Sequence, residues 1–240
     1  MTDNAKELQI LGKIIALFIF ALLIMNLTAC SSATGEVYFA STNPDSGRIH
    51  NPGEQIDDWQ SALRFLEDGN KRYFENRSLK RDTNAEDRAT FNEGQNPFAA
   101  ILTCSDSRVS PEFYFDQKPG SIFVIRNAGN IADTTALGSL EFAVEHLKAP
   151  LVVVVGHSAC GAVAGSFGGG EFSDNLQSIL DAIKPAIEHS ENVEDAILAN
   201  ISYAAERIKL NPVVMNMGAM VIGAHYDIET GDVVFFDNAE

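Results

Sequence analysis

The fold of this chain is decided by residues 99–110, which read AAILTCSDSRVS. The apolar run at residues 99–102 predicts a buried strand. Cys104 stands where that strand ends, and Asp106 and Arg108 follow it in a polar turn. Open α/β sheets carry their chemistry at the carboxyl ends of strands. A thiol, a carboxylate and a guanidinium at such an end therefore predict a functional site.

The same pattern recurs at residues 151–161, which read LVVVVGHSACG. The apolar run predicts a second buried strand, and His157 and Cys160 follow it. Two thiolates, one imidazole and one further position make a tetrahedral zinc site. The His-x-x-Cys spacing lets both side chains of a tight turn reach one ion. Cys104 completes the set only if the two strands are neighbours, which a parallel sheet allows.

The rest of the chain alternates between helical and strand patterns, which predicts a mainly parallel α/β sheet flanked by helices. A third buried strand is predicted at residues 122–125. Residues 220–226 and 233–236 enclose a turn and predict a β-hairpin that adds an antiparallel edge strand. Helices are predicted at residues 56–76, 82–94, 111–115, 134–147, 161–170, 176–189 and 193–210.

Composition restricts the function classes. The chain has 240 residues, of which 45% are hydrophobic and 21% are charged, as in an ordinary globular domain with tails. The formal net charge of −16 argues against nucleic acid as a partner, because that binding needs clustered lysine and arginine.

Residues 1–29 predict a signal peptide. A weakly basic start with Lys6 and Lys13 precedes an apolar run at residues 14–25, which is shorter than the roughly 20 residues of a membrane-spanning helix. The run leads into LTAC at residues 27–30, which resembles the lipobox of bacterial lipoproteins. That resemblance implies cleavage before Cys30 and a diacylglycerol on its thiol. The alternative is an uncleaved signal anchor that extends back to Leu8.

Export sets the expected domain organisation and location. Residues 30–55 are expected to be a lipid-anchored tether, and residues 56–240 the catalytic domain. Ser31, rather than aspartate, follows Cys30, and in bacteria with two membranes this favours the outer membrane and a periplasm-facing domain. A disulfide between Cys104 and Cys160 is the alternative for an exported protein, but it would leave Asp106, Arg108 and His157 unexplained.

The two motifs together resemble the β-class carbonic anhydrases. These motifs are CSDSR at residues 104–108 and GHSACG at residues 156–161, and the likeness extends over residues 59–236. Supporting stretches lie at residues 66–73, 123–130, 141–147 and 223–227. The resemblance implies parallel strands in the order 2-1-3-4, and a homodimer or a higher homo-oligomer.

The resemblance also implies the roles of the site residues. One Zn²⁺ per chain is expected on Cys104, His157 and Cys160, with water or the Asp106 carboxylate in the fourth position. Arg108 is expected to pair with Asp106 in the open form and to keep it off the metal. The alternative for Arg108 is an ordinary surface ion pair, which contributes about 0–1 kcal/mol.

A substrate pocket is implied as well. Gln95 is expected to donate to bound bicarbonate from the partner subunit, and the CO2 pocket is expected to be lined by Phe123, Ala128, Phe142 and Gly161. Ala128 and Phe142 replace a larger aliphatic residue and a tyrosine of plant-type members. Ile101 stands where the bicarbonate-regulated branch carries tryptophan, so no such regulatory site is expected.

The expected activity is the zinc-dependent, reversible hydration of CO2 to bicarbonate and a proton, with Asp106 orienting the attacking water. Two alternatives remain open. Hydrolysis of carbon disulfide or carbonyl sulfide is performed by other members of the same family. A non-catalytic zinc-binding lipoprotein would need the metal ligands but would have no use for Asp106 and Arg108. The four other histidines are expected to be surface or core residues rather than ligands; they are His50, His146, His189 and His225.

Overall fold

The computed structural model describes residues 49–51, 54–79, 83 and 85–236. All of these residues fall within one unit of the chain, Gly35–Glu240. The predicted signal peptide, the lipobox, Cys30 and most of the tether lie outside the described residues. Among the helices that are described, none combines the length and the apolar character needed to cross a membrane.

In the described part of the chain, five strands form one sheet. They are β1 (Ala99–Cys104), β2 (Ile122–Asn127), β3 (Leu151–His157), β4 (Met220–Tyr226) and β5 (Val233–Phe236). Their order is β2-β1-β3-β4-β5, with parallel pairing up to β4 and antiparallel pairing between β4 and β5. The predicted order 2-1-3-4 with an antiparallel edge strand is confirmed.

Helices and turns connect the strands. The helices are α1 (Trp59–Phe74), α2 (Ala85–Phe91), α3 (Pro111–Tyr114), α4 (Thr134–Glu141), α5 (Gly161–Gly168), α6 (Asp174–Ile187), α7 (Val193–Lys209) and α8 (Pro212–Met217). A 3-10 turn, Ala128–Asn130, follows β2, and a π-helical turn, Phe142–His146, continues α4. Helix starts are fixed by side-chain caps: Asp58, Asp133 and Asn192 each accept a backbone N–H three residues ahead.

The sheet is buried on both faces, which explains why its central strands are apolar without alternation. Every residue of β1 and β3 is buried. Ala100 and Leu102 pack in a cluster with side chains of α4, α6 and α7. Ile101 and Val153 pack on the opposite face with side chains of α1 and α3. The helices packed on the two faces of the sheet hold the strands in place, and this fixes where the strand ends meet.

The strand register places the two sequence motifs side by side. Four residues of β1 pair with β3, from Ala100 opposite Val152 to Thr103 opposite Val155. Cys104 at the end of β1 is opposite Asn127 on β2, and His157 at the end of β3 is opposite Tyr226 on β4. The carboxyl ends of four neighbouring strands therefore lie along one edge of the sheet.

The structure differs from the sequence expectations at several boundaries. Strands β1, β2 and β3 each extend two residues beyond the predicted apolar runs, because the backbone ladder continues into the polar motif. Helix α8 was not predicted. His50, placed in the tether by the sequence analysis, is 1% exposed and its ring packs against Phe65 and Phe98. The packed domain therefore includes residues before position 56.

Candidate active site

Three side chains meet at the carboxyl edge of the sheet. The ligand atoms of Cys104, His157 and Cys160 all lie within 4.8 Å of one another. Cys104 ends β1, His157 ends β3, and Cys160 stands at the N-cap of α5. All three residues are buried. The structure brings together the three residues that the sequence analysis selected as zinc ligands, and the spacing of the atoms suits one tetrahedral ion.

The imidazole of His157 is prepared to act as a ligand. Its Nδ1 lies 2.9 Å from the carbonyl oxygen of Ser158, so Nδ1 carries the proton and donates it to that oxygen. Its Nε2 is buried and has no hydrogen-bond partner among the described residues. A buried polar atom without a partner is costly. Coordination of a cation through the Nε2 lone pair would remove that cost, so the residues present fit a zinc ion.

The two thiols share their proton. The pKa of Cys104 is lowered, chiefly by a hydrogen bond from the Cys160 thiol, with further help from the Gly129 N–H. The pKa of Cys160 is raised by its contact with Cys104 and by burial. A divalent cation would replace the shared proton and stabilise both sulfurs as thiolates.

The turn that carries His157 and Cys160 is tied to the β4–β5 hairpin. The Ser158 N–H donates to the carbonyl of Tyr226 at 3.0 Å, and the Ser158 hydroxyl accepts the N–H of Ile228 at 2.9 Å. Ala159, next in the turn, has φ of 55°, a left-handed conformation unusual for alanine. The sequence analysis did not assign a role to Ser158.

A second loop reaches the sulfur of Cys104. The N–H of Gly129, in the 3-10 turn after β2, donates to the Cys104 Sγ at 3.4 Å. The carbonyl of Gly129 in turn accepts from the buried Asn200 side chain of α7 at 2.8 Å. The base of this loop is closed by Asn127, whose side chain bonds both the N–H and the carbonyl of Ile131.

Asp106 and Arg108 form a two-point ion pair. The Arg108 Nε donates to one Asp106 carboxylate oxygen at 2.9 Å, and Nη2 donates to the other at 2.7 Å. The Arg108 side chain holds the pKa of the Asp106 carboxyl well below its usual range. Arg108 also donates to the carbonyl of Ala159 at 3.4 Å, which links the loops after β1 and β3. Asp106 is thus an ionised hydrogen-bond acceptor at neutral pH.

Comparison with known proteins identifies the family. The family model described as "Carbonic anhydrase" matches residues 99–233, which is more than half of the chain. The chain belongs to the carbonic anhydrase family. Carbonic anhydrase 2 of Mycobacterium tuberculosis is 31% identical over 198 residues, covering 74% of this chain and 93% of that protein. The carbonic anhydrase of Mycolicibacterium smegmatis is 40% identical over 131 residues, covering 53% of this chain and 64% of that protein.

Solved structures place the carbonic anhydrase domain in the β class. The β-carbonic anhydrase CafA of Aspergillus fumigatus superimposes with a TM-score of 0.59 at 28% identity, covering 76% of this chain and 92% of that one. A tetrameric β-carbonic anhydrase of Sordaria macrospora gives 0.57 at 28% identity, covering 62% of this chain and 85% of that one. Family and fold together support CO2 hydration as the activity.

The residues expected to bind substrate lie on several separate segments of the described chain. The rings of Phe123 and Phe142 lie 6.1 Å apart, and Phe142 is exposed. Ala128 precedes Gly129 in the 3-10 turn, and Gly161 begins α5 directly after Cys160. Gln95 lies between α2 and β1 and is exposed on this subunit. Their roles in substrate binding stay predictions.

Proposed function

We propose that this protein holds one Zn²⁺ per chain on Cys104, His157 and Cys160 and uses it to hydrate CO2 reversibly to bicarbonate and a proton. The observation that carries the proposal is the cluster of three buried ligand atoms within 4.8 Å, with the His157 Nε2 left unpartnered among the described residues. Two thiolates and one imidazole are a donor set that zinc prefers.

Zinc bound there would act as a Lewis acid that lowers the pKa of a water, to about 7 in the carbonic anhydrases whose metal has three histidine ligands. Asp106 then accepts a hydrogen bond from the attacking water and orients it toward CO2. Arg108 keeps the Asp106 carboxylate ionised and fixes its direction through two hydrogen bonds. Asp106 in the fourth ligand position is the alternative state, which would require release of Arg108.

The proposed substrate site uses the surrounding residues. Phe123, Ala128, Phe142 and Gly161 would line the CO2 pocket, where apolar side chains suit a linear, uncharged substrate. Gln95 would donate to bicarbonate in the active site of a neighbouring subunit. The exposure of Gln95 on this subunit and the tetrameric state of the Sordaria macrospora protein support a homo-oligomer.

The proposed location is the bacterial envelope. Residues 1–29 would direct export and be removed, and Cys30 would carry the lipid that anchors the domain to a membrane, with the outer membrane favoured. Labelled fatty acid should then be incorporated into the wild type, and a Cys30→Ser variant should lose that label. A wild type that carries no lipid and keeps residues 1–29 would instead indicate an uncleaved anchor.

The first experiment is stopped-flow CO2 hydration on the purified protein, with zinc counted per chain. We expect rapid turnover and about one zinc per chain, with activity rising over about pH 6–9 as the attacking water loses its proton. Full zinc without hydration at any pH would contradict the proposal and favour the sulfur substrates or a purely structural metal site.

An Asp106→Asn variant separates catalysis from metal binding. We expect it to keep its zinc and to lose about 10²–10⁴-fold in kcat/KM, the usual contribution of a positioned proton acceptor. Asp181→Asn is the matched control, because Asp181 pairs with Lys184 in an exposed position on α6. Loss of zinc from Asp106→Asn would identify Asp106 as a closing ligand of a structural site.

A further inference from the structure

Arg126 makes contacts that none of the roles above uses. It is the penultimate residue of β2, and its side chain reaches across to the loop after β1. The Arg126 Nε donates to the carbonyl oxygen of Cys104 at 3.2 Å, and its Nη2 donates to the carbonyl oxygen of Asp106 at 2.7 Å. One guanidinium thus bridges the backbone of a zinc-ligand position and that of the catalytic carboxylate.

The residue after Arg126 adds a third bond to the same loop. The N–H of Ser105 donates to the carbonyl of Asn127 at 3.0 Å. The end of β2 therefore holds three consecutive residues, 104–106, which begin at the last paired position of the β1–β2 ladder, Cys104 with Asn127. Without Arg126, only the Ser105 bond would remain of these three.

We infer that Arg126 is a positioning residue for CO2 hydration, which fixes the Cys104 sulfur and the Asp106 carboxylate relative to each other. The inference rests on the proposed function. A guanidinium suits the task because its fork presents two parallel donors in a fixed plane, and two carbonyls two residues apart accept them together. An ammonium is a single point charge on a flexible stem and does not reproduce that plane.

The geometry also explains why a loose loop would harm catalysis. The carbonyl of Asp106 accepts both the Arg126 Nη2 and the N–H of Val109, the latter at 3.0 Å. The Asp106 carboxylate also accepts a hydrogen bond from the Arg108 side chain. The same Arg108 side chain donates to the carbonyl of Ala159 on the neighbouring loop. Loss of the Arg126 bonds would free the backbone beneath Asp106, so its carboxylate would spend less time aligned with the attacking water.

The test compares Arg126→Ala and Arg126→Lys with the wild type in the zinc-loaded full chain. We expect Arg126→Ala to retain zinc and to lose about 10- to 100-fold in kcat with little change in KM, as when a residue that supports metal ligands is removed. Arg126→Lys should recover part of the loss. Added methylguanidine should restore activity to Arg126→Ala and not to Arg126→Lys.

Amide hydrogen exchange supplies a readout that does not depend on activity. Exchange in a peptide spanning residues 103–110 should rise in Arg126→Ala and stay unchanged in the control Arg64→Ala, whose side chain bonds Ser61 within its own helix. If Arg126→Ala does not fold, kcat and amide exchange are compared between Arg126→Lys and the wild type instead. Faster exchange throughout the domain, or kcat within about twofold of wild type, would overturn the inference.

The two proposals fail in different ways. A wild-type protein that holds zinc but does not hydrate CO2 would contradict the proposed function. Even then, faster amide exchange in Arg126→Ala that is confined to residues 103–110 would show that Arg126 holds this loop. If the wild type is active but exchange at residues 103–110 is the same in Arg126→Ala, only the role of Arg126 is overturned.

Discussion

Gly129 occupies a position that a side chain would disrupt. Its φ of 76° is left-handed, and a Cβ there would lie 2.7 Å from the Cδ1 of Ile183 and 3.2 Å from the Cβ of Ala162. The backbone of Gly129 is at the same time fixed from both sides, by the Cys104 sulfur and by Asn200. A backbone shift that relieves these close contacts would disturb the hydrogen bond from the Gly129 N–H to the Cys104 sulfur.

The Gly129→Ala substitution tests this constraint. We expect a loss of about 1–3 kcal/mol in the free energy of unfolding, from overpacking and the unfavourable φ. Zinc should also bind more weakly, because Cys104 loses an aligned donor. Urea unfolding and competition with a chromophoric chelator measure the two effects.

Gly138→Ala is the matched control for Gly129→Ala. Gly138 lies in α4, and a Cβ there meets no atom within 4 Å. The added methyl should stabilise the helix by up to about 1 kcal/mol and leave zinc affinity unchanged. If both alanines had the same effect, the steric explanation for Gly129 would be wrong.

Glu67 on α1 should make stability depend on pH. Burial raises the pKa of this half-buried carboxyl to about 7, from 4.5, with a smaller contribution from Asp68 and an opposing one from Arg64. A raised pKa means that the folded state binds the proton more tightly than the unfolded state. The contribution of Glu67 to the free energy of unfolding is therefore greatest below about pH 4.5, and it is lost as the pH rises to about 7.

A Glu67→Gln variant should remove that dependence. Relative to the wild type, its Tm should be higher above pH 7 and similar at pH 4.5, because the amide cannot ionise. Thermal unfolding across this range gives the comparison, with the exposed Glu188→Gln as control. A difference in Tm that stays constant with pH would contradict the burial argument.

At the scale of elements, Asn70 joins α1 to two others. Its Nδ2 donates to the carbonyl of Tyr114 in α3 at 3.0 Å and to that of Gly231 in the β4–β5 turn at 2.9 Å. Its Oδ1 accepts the N–H of Val233 at 2.9 Å. The Tyr114 ring also stacks on Tyr226, the residue opposite His157. One amide therefore supports the hairpin on which the zinc-binding turn rests.

Replacement of Asn70 by alanine should be severely destabilising. Two buried carbonyls and one buried N–H lose their partner, and each unsatisfied group costs about 1–3 kcal/mol before relaxation. We expect a net loss of about 2–4 kcal/mol in urea unfolding. Asn216→Ala, at an exposed position of α8, should change stability by less than about 0.5 kcal/mol. If the free energy of unfolding falls no further in Asn70→Ala than in Asn216→Ala, the proposed structural role of the Asn70 hydrogen bonds would be wrong.

Sequence patterns predicted the elements that must bury apolar side chains. The strands around residues 99–102 and 151–155 are buried on both faces, and the edge strand β5, which follows a clear turn, alternates between buried and less buried residues. Helix α8 has six residues and little periodicity. Its one signal is Asn211 followed by Pro212, and the Asn211 side chain does cap the N–H groups of Val213 and Val214.

The residues of the candidate site also differ in how far the sequence predicts their roles. Cys104, His157 and Cys160 were predictable, because their side chains carry the chemistry and the ends of neighbouring parallel strands meet. The contacts of Arg126 and Gly129 were not predictable, because Arg126 bonds backbone carbonyls and Gly129 acts through its own N–H. Such bonds depend on strand register rather than on a pattern of residue types.

At the scale of the whole molecule, the surface of the subunit favours assembly. Several large apolar side chains are exposed, among them Phe113 at 60%, Met215 at 62% and Phe142 at 44%. Phe142 is also a proposed pocket residue, so an interface near it would complete the substrate site. Gln95, exposed on its own subunit, is then free to serve the site of a partner.

Mixed oligomers test whether Gln95 acts across subunits. Gln95→Ala and Asp106→Asn chains, each of low activity alone, are unfolded together, mixed in equal amounts and refolded with zinc. In a mixed dimer, the Gln95→Ala chain keeps its own Asp106 and receives Gln95 from its partner. Random pairing makes about half of the dimers mixed, each with one intact site, so about a quarter of the wild-type activity should return.

The same experiment gives a different result if Gln95 serves its own chain. Each subunit of a mixed dimer would then lack either Gln95 or Asp106, and activity would stay at the level of the separate variants. Refolding each variant alone controls for losses during the procedure, and wild type refolded in parallel sets the maximum. Recovery that requires both chains in one oligomer would make the assembly, and not the single subunit, the smallest complete enzyme.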